Sequence, residues 1–124
     1  MMRKTFETQH RPTEIRLKKE EKALEVDFAD GKSFTLSAEY LRVESPSAEV
    51  QGHGQEKRIV PGRKLVGIME VEAVGNYAIR IKFDDLHDTG IYTWDVLYDL
   101  GANENEIWAA YLDGLKTHGL TREP

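Results

Sequence analysis

The 124-residue chain contains no cysteine. This absence excludes disulfides, thiolate zinc sites, ordinary iron–sulfur ligation and cysteine nucleophiles. The chain also lacks any apolar run near the roughly 20 residues that a membrane-spanning helix needs. Its opening stretch, MMRKTFETQHRP, has no apolar core of the kind that a secretory signal requires. We therefore expect a cytoplasmic protein without a membrane partner.

Basic residues are outnumbered by acidic ones. Lysine and arginine total 17 against 22 aspartates and glutamates, which gives a net charge of -5. Nucleic-acid-binding modules are usually basic, so we expect no nucleic-acid partner. Hydrophobic residues make up 40% and charged residues 31%, as is typical of a globular domain. We predict a flexible tail over residues 1–11 and a single domain over residues 12–124.

Alternating apolar residues predict an antiparallel meander at the start of the domain. The stretches TEIRLKK, ALEVDF and KSFTL each place their apolar residues on one face. The ADGK between the second and third predicts a hairpin, because glycine accepts a positive φ. SAEYLR then predicts a short helix with Ser37 as its N-cap. LVGIMEVEAV and YAIRIKF predict two further strands joined at VGN.

Helical patterns follow at the C-terminal end. TWDVLYDLG predicts a helix capped by Thr93 and stopped by Gly101. NENEIWAAYLDGLKTHG predicts a second helix, with Asn103 and Glu106 as a variant capping box and Gly119 as its end. The stretch VESPSAEVQGHGQEKRIVPGRK has little periodicity and predicts a long loop, which is often functional. We therefore expect an α+β fold: small antiparallel sheets, a short helix after the third strand and two C-terminal helices.

The stretch FDDLHD, at the end of a predicted strand, holds the strongest candidate side chains: Asp84, Asp85, His87 and Asp88. Alternate residues of an extended chain face the same side, so Asp85 and His87 could converge. A carboxylate beside an imidazole raises the imidazole pKa and fixes its tautomer, which suits acid–base chemistry or metal binding. The alternative interpretation is a strand end whose aspartates cap turns.

The predicted long loop supplies a second candidate, His53 in QGHGQ. His53 and His87 with a nearby aspartate could form a two-histidine, one-carboxylate iron site, if the loop folds over the strand end. Its flanking glycines could equally serve only loop flexibility. Basic side chains of the same loop, Arg58, Arg63 and Lys64, could contact an anion or simply be solvated. The chain contains no Walker loop, dinucleotide fingerprint or nucleophile elbow.

Two blocks, YLRVESPSAEVQGHG and GNYAIRIKFDDLHDTGIYTW, resemble the gamma-butyrobetaine hydroxylase-like N-terminal domain family. The resemblance runs from about Pro12 to Gly119. Small bacterial stand-alone members have long been described as a domain of unknown function. In carnitine-synthesis dioxygenases the domain precedes the catalytic domain and is similar to a zinc-bound accessory unit. Its zinc ligands come from a Cys-Pro-Cys-x-x-Cys run and a later histidine.

The resemblance implies that Ser45, Ser47 and Val50 stand at the three cysteine positions and His87 at the histidine. Serine hydroxyls are poor zinc ligands and valine is none, so we expect no structural zinc and no cofactor. We expect Ser45 or Ser47 to bond Asp85 or His87 instead. Because 124 residues leave no room for the iron-binding catalytic barrel, we expect that dioxygenase activity does not carry over. The domain also resembles a segment of some iron–sulfur carrier P-loop ATPases, which suggests partner binding.

Three hypotheses for function follow. The first is a non-catalytic accessory module that binds another protein. The second is a protein that binds iron or another divalent ion at His87 with Asp85, Asp88 or His53. The third is a small acid–base enzyme that uses the Asp85–His87 pair in a concave pocket. For the first hypothesis, the candidate ligand or partner surface comprises Arg42, Ser45, Ser47, His53, Asp84, Asp85, His87 and Asp88.

Overall fold

The computed structural model describes residues 10–51 and 57–124. Within them, two three-stranded antiparallel sheets form, and strands adjacent in sequence are adjacent in each sheet. The predicted α+β architecture is confirmed. The elements are β1 (Pro12–Lys18), β2 (Ala23–Phe28), β3 (Ser33–Ser37), α1 (Ala38–Val43), α2 (Ala48–Gln51), β4 (Ile68–Val74), β5 (Ala78–Phe83), β6 (Ile91–Thr93), α3 (Trp94–Ala102) and α4 (Glu104–Thr117).

The first sheet is the meander that the alternation predicts. Leu24, Val26 and Phe28 point from β2 into the core and are almost fully buried. Val26 lies opposite Phe34 in β3. The turn between these strands contains Gly31 at φ +93°, a backbone conformation that glycine adopts without a steric penalty.

The second sheet completes the same core. Ile79, Ile81 and Phe83 of β5 are buried together with the apolar residues of β2, and Leu97 of α3 packs into the same cluster. Two short elements were not predicted: α2 has four residues and β6 has three. Neither is long enough to display a helical or strand period, so the sequence pattern does not reveal them.

The predicted N-caps of α1 and α3 are confirmed. The Ser37 hydroxyl accepts a hydrogen bond from the Tyr40 amide at 3.1 Å, and the Thr93 hydroxyl accepts one from the Val96 amide at 3.2 Å. The predicted capping box at Asn103 is wrong. The Asn103 side chain makes no capping bond and instead donates to the Asp99 carboxylate at 2.8 Å.

Gly101 was also predicted wrongly, as a helix stop, because it lies inside α3. Its actual role is close packing. A Cβ at this position would lie 2.3 Å from the Phe34 ring of β3, which is closer than any real contact. The glycine therefore lets α3 lie directly against the first sheet.

Both described ends of the chain are packed. The His10 ring stacks on Tyr98 with centroids 3.6 Å apart, and the Arg11 carbonyl accepts from the Ala29 amide at 2.9 Å. Although we predicted these residues as part of a flexible tail, they contact the domain. At the other end, Arg122 pairs with the buried Glu39 carboxylate at 2.7 and 2.8 Å. No helix in residues 10–51 or 57–124 is long and apolar enough to cross a membrane.

We predict that Gly101→Ala lowers the free energy of unfolding by about 1–3 kcal/mol, because the new methyl group collides with the Phe34 ring. Urea denaturation measures this change. In a Phe34→Ala background the collision is absent, and alanine should then be neutral or slightly stabilising through its helix propensity. Equal destabilisation in both backgrounds would contradict the packing role.

Candidate functional site

The turn between β5 and β6 holds the candidate histidine rigidly. The Phe83 amide donates to the His87 carbonyl at 3.0 Å, and the Leu86 amide donates to the Phe83 carbonyl at 3.0 Å. Leu86, between them, has φ +74°, which is unusual for any residue other than glycine. The Asp85 carboxylate accepts from the His87 amide at 3.1 Å. These bonds fix the direction in which the His87 ring leaves the turn.

The His87 ring points at the segment that connects α1 to α2. Its Nε2 lies 2.9 Å from the Ser45 hydroxyl and 3.4 Å from the Ser47 hydroxyl. All three side chains are buried. Its Nδ1 lies 3.1 Å from a carboxylate oxygen of Glu49. The expected bond from a serine of this segment to His87 is confirmed.

The charge state of His87 depends on its burial and on its charged neighbours. Burial of the ring lowers the pKa of His87, and the nearby Arg42 cation lowers it further. Glu49, Asp85 and Asp88 oppose this shift, but the side chain of Glu49 is 68% exposed and its charge is screened by water. His87 is therefore neutral at physiological pH.

The absence of a side chain at Gly90 leaves room for the Ser45 hydroxyl beside His87. A Cβ at Gly90 would lie 2.3 Å from the Ser45 hydroxyl oxygen, so only glycine fits there. The Gln51 side chain donates to the Ser45 carbonyl at 2.8 Å. The Thr89 hydroxyl donates to the Glu49 carboxylate at 3.0 Å. The Thr89–Glu49 bond and the close approach of Gly90 to Ser45 thus join the two segments beside the imidazole, and the Gln51 bond braces the segment that carries Ser45.

Asp85 belongs to a separate ion-pair cluster. Its Oδ2 lies 2.7 Å from the Nε of Arg42 and 2.7 Å from the Nε of Arg63. Burial raises the pKa of Asp85, but the bond from the His87 amide and the two arginines outweigh burial, and the net pKa is lowered. Asp85 therefore accepts hydrogen bonds from the His87 amide and from Arg42 and forms an ion pair with Arg63, while the His87 ring faces the serines. The predicted convergence of the Asp85 carboxylate and the His87 imidazole is not present.

The remaining predicted residues are dispersed. Asp84 is exposed, and its amide donates to the Gly67 carbonyl at 2.9 Å. Asp88 is only partly buried. His53 lies outside the described residues. In the part of the chain that the structure describes, no group of three or more histidines, aspartates and glutamates could hold a metal ion.

A cleft of about 460 Å³ opens beside these two clusters. We name it the arginine cleft after the three arginines in its wall. Sequence reasoning singled out Arg42 and considered Arg58 and Arg63 as anion contacts, but it could not place them together, because Arg42 lies on α1 and the others follow α2. The lining residues used below are Arg42, Glu49, Arg58, Arg63, Asp85 and Asp88.

The chain belongs to the family described as gamma-butyrobetaine hydroxylase-like, N-terminal, which matches residues 15–98. Two NMR solution structures of proteins are similar to it. One has 44% identity and a TM-score of 0.83, covering 94% of this chain and 93% of that one. The other has 46% identity and a TM-score of 0.81, covering 100% and 92%.

A crystal structure of a protein of unknown function from Acidithiobacillus ferrooxidans, which belongs to the DUF971 family, is also similar. It has 42% identity and a TM-score of 0.64, covering 74% of this chain and 93% of that one. No curated protein matches the chain.

The residues at the positions where the resemblance implies zinc ligands do not fit zinc. The positions carry two serine hydroxyls, a valine methyl pair and one imidazole, whereas a structural zinc site needs four thiolate, imidazole or carboxylate ligands. The Ser45 and Ser47 hydroxyls bond the imidazole directly. Hydrogen bonds therefore make the connection that a shared metal ion would otherwise make.

We predict that acidification weakens the fold through His87. Because the folded-state pKa lies below the ordinary value of 6.5, the unfolded chain binds the proton first as the pH falls. The stabilisation by neutral His87 is complete above about pH 6.5 and is lost as the pH falls from there toward the folded-state pKa. Melting temperatures measured between pH 7.5 and 5.5 should fall for the wild type and stay flatter for His87→Gln. Parallel profiles would disprove this assignment.

We also predict that cysteines at the three positions create a zinc site. The Ser45→Cys, Ser47→Cys, Val50→Cys variant should bind about one zinc ion per chain, with His87 as the fourth ligand. Elemental analysis of protein purified without chelator measures this, and adding His87→Ala to the variant should weaken the binding. Wild-type protein, the matched control, should contain none. Stoichiometric metal in the wild type that is lost on His87→Ala would instead favour the metal-binding alternative with His53.

Proposed function

We propose that the protein is a non-catalytic accessory module that binds another protein in the cytoplasm, through the turn Asp84–Thr89 and the adjoining segment 57–64. The observation that carries this proposal is Leu86. Its side chain is 79% exposed at the tip of the turn. Its left-handed backbone costs about 1–2 kcal/mol relative to an ordinary conformation. Backbone strain of this kind is concentrated at binding and switch sites, so we infer that the exposed leucine contacts a partner.

The partners of the His87 and Asp85 side chains support the same proposal. His87 is held by Ser45 and Glu49, and Asp85 is held by two arginines. An acid–base enzyme would need the Asp85 carboxylate to orient the His87 imidazole. Here that carboxylate bonds the backbone amide of His87 instead. Both groups therefore serve to brace the turn that carries Leu86.

A photo-cross-linking experiment tests the proposal. We predict that p-benzoylphenylalanine at position 86 yields a discrete cross-linked protein in cells that naturally contain this chain. The same probe at position 112, an exposed leucine of α4, is the matched control and should yield none. Excess wild-type protein should suppress the cross-link, because it competes for the partner.

A Leu86→Asp competitor should suppress the cross-link at least about tenfold less well, since it lacks the apolar contact. Equal cross-linking from position 112, or full competition by Leu86→Asp, would contradict a specific partner site at this turn. Amide spectra of each variant establish that the fold is retained.

A further inference from the structure

The arginine cleft carries a cationic group that the proposed function does not use. Arg42 is only 8% exposed, yet its Nη1 is buried without a hydrogen-bond partner in residues 10–51 and 57–124. A buried guanidinium N–H without an acceptor is unfavourable, and natural proteins rarely retain one without a purpose. Arg42 lines the cleft, so an acceptor that enters the cleft could reach it.

Arg63 supplies a second buried N–H donor without an acceptor among the described residues. Its Nε lies 2.7 Å from Asp85 Oδ2, the same oxygen that accepts from Arg42 Nε. The Arg63 N–H does not point at that oxygen, and this buried Nε has no hydrogen-bond partner among the described residues. One carboxylate therefore serves two guanidinium groups. The pair of arginines keeps an excess positive charge and unused donors.

Arg58 adds a third guanidinium at the exposed side of the cleft. Its amide donates to the Val50 carbonyl at 2.7 Å, which fixes its backbone against α2. Its side chain has no ion-pair partner in the described ranges 10–51 and 57–124. Its guanidinium group is therefore available to a ligand in the cleft.

The acidic residues of the cleft limit what it can attract. Glu49 and Asp88 also line it, and with Asp85 they balance the formal charge of the three arginines. Glu49, however, already accepts from the Thr89 hydroxyl and lies 3.1 Å from the His87 ring. The available donors, rather than a net positive charge, decide which ligand the cleft suits. Several N–H donors on planar guanidinium groups suit an oxyanion with two or three acceptor oxygens.

We propose that the arginine cleft binds an oxyanion, the carboxylate or phosphate group of a ligand. Arg42 Nη1 forms the buried end of the site, and Arg58 and Arg63 form its mouth. This goes beyond the proposed function, because the site has the same chemistry whether the oxyanion is free or belongs to a partner protein. The volume of about 460 Å³ admits the anionic group together with a part of the molecule that carries it.

Titration followed by NMR tests the proposal with two probes. Inorganic phosphate represents a free anion, and N-acetylglutamate amide represents the side-chain carboxylate of a protein. We expect saturating shifts of the side-chain Nε–H signals of Arg42 and Arg63, with half-saturation on the order of 1–10 mM for such small probes. Sodium chloride at matched ionic strength should give no saturating shift.

Three variants make the test specific. Arg58→Ala should weaken binding about threefold to tenfold by removing one charged donor. Asp85→Asn should tighten binding about threefold or more, because it removes the competing charge while an amide oxygen still accepts from the His87 amide. Arg80→Ala is the matched control, since Arg80 pairs with Glu72 on the second sheet and does not line the cleft. It should change nothing.

Each outcome decides the question. Saturation by phosphate alone assigns a phosphate-type ligand, saturation by the glutamate derivative alone assigns a carboxylate, and saturation by both leaves the oxyanion site supported. The proposal is overturned if neither probe saturates the Arg42 signal by about 50 mM, a range in which weak small-anion sites fill. It is also overturned if Arg80→Ala weakens binding as much as Arg58→Ala. The result is independent of cross-linking at position 86.

Discussion

A buried imidazole joins two parts of the chain that are 42 residues apart. Ser45, in the connection after α1, and His87, in the turn after β5, meet at 2.9 Å. The contact joins the connection between α1 and α2 to the end of the second sheet and encloses the imidazole. Burial is the largest cause of the lowered pKa of His87. Residues of both segments line the arginine cleft.

The contact lies where the family resemblance implies a zinc site in other members. A structural zinc ion contributes on the order of 10 kcal/mol to the folding of a small domain, whereas one hydrogen bond contributes about 1 kcal/mol. The serine–histidine bonds join the same two segments that such an ion would join, but they contribute only a small part of its free energy. The rest of the stability must come from the apolar core shared by the two sheets and α3.

Much of the fold was predictable because it depends on local patterns. The alternation in β2 and β5 and the hydroxyl caps of α1 and α3 are visible in the sequence. The role of Gly101 was not, since its need for space arises from a ring that is distant in sequence. The candidate site, too, was predictable only in part. The partnership of Ser45 with His87 came from the family resemblance, whereas the pairing of Asp85 with Arg42 and Arg63 depends on how the segments fold together.

The C-terminal end of the described chain lies beside the cleft. The amides of Gly62 and Lys64 donate to the carbonyls of Thr121 and Arg122 at 3.0 Å each, so the last residues run alongside the segment that carries Arg63. Anything joined after Pro124 would begin next to the mouth of the cleft. An acidic extension there would sit within reach of the guanidinium groups and could occupy them from within the same molecule. The same extension attached to an exposed face of α4 would leave the guanidinium groups of the cleft unoccupied.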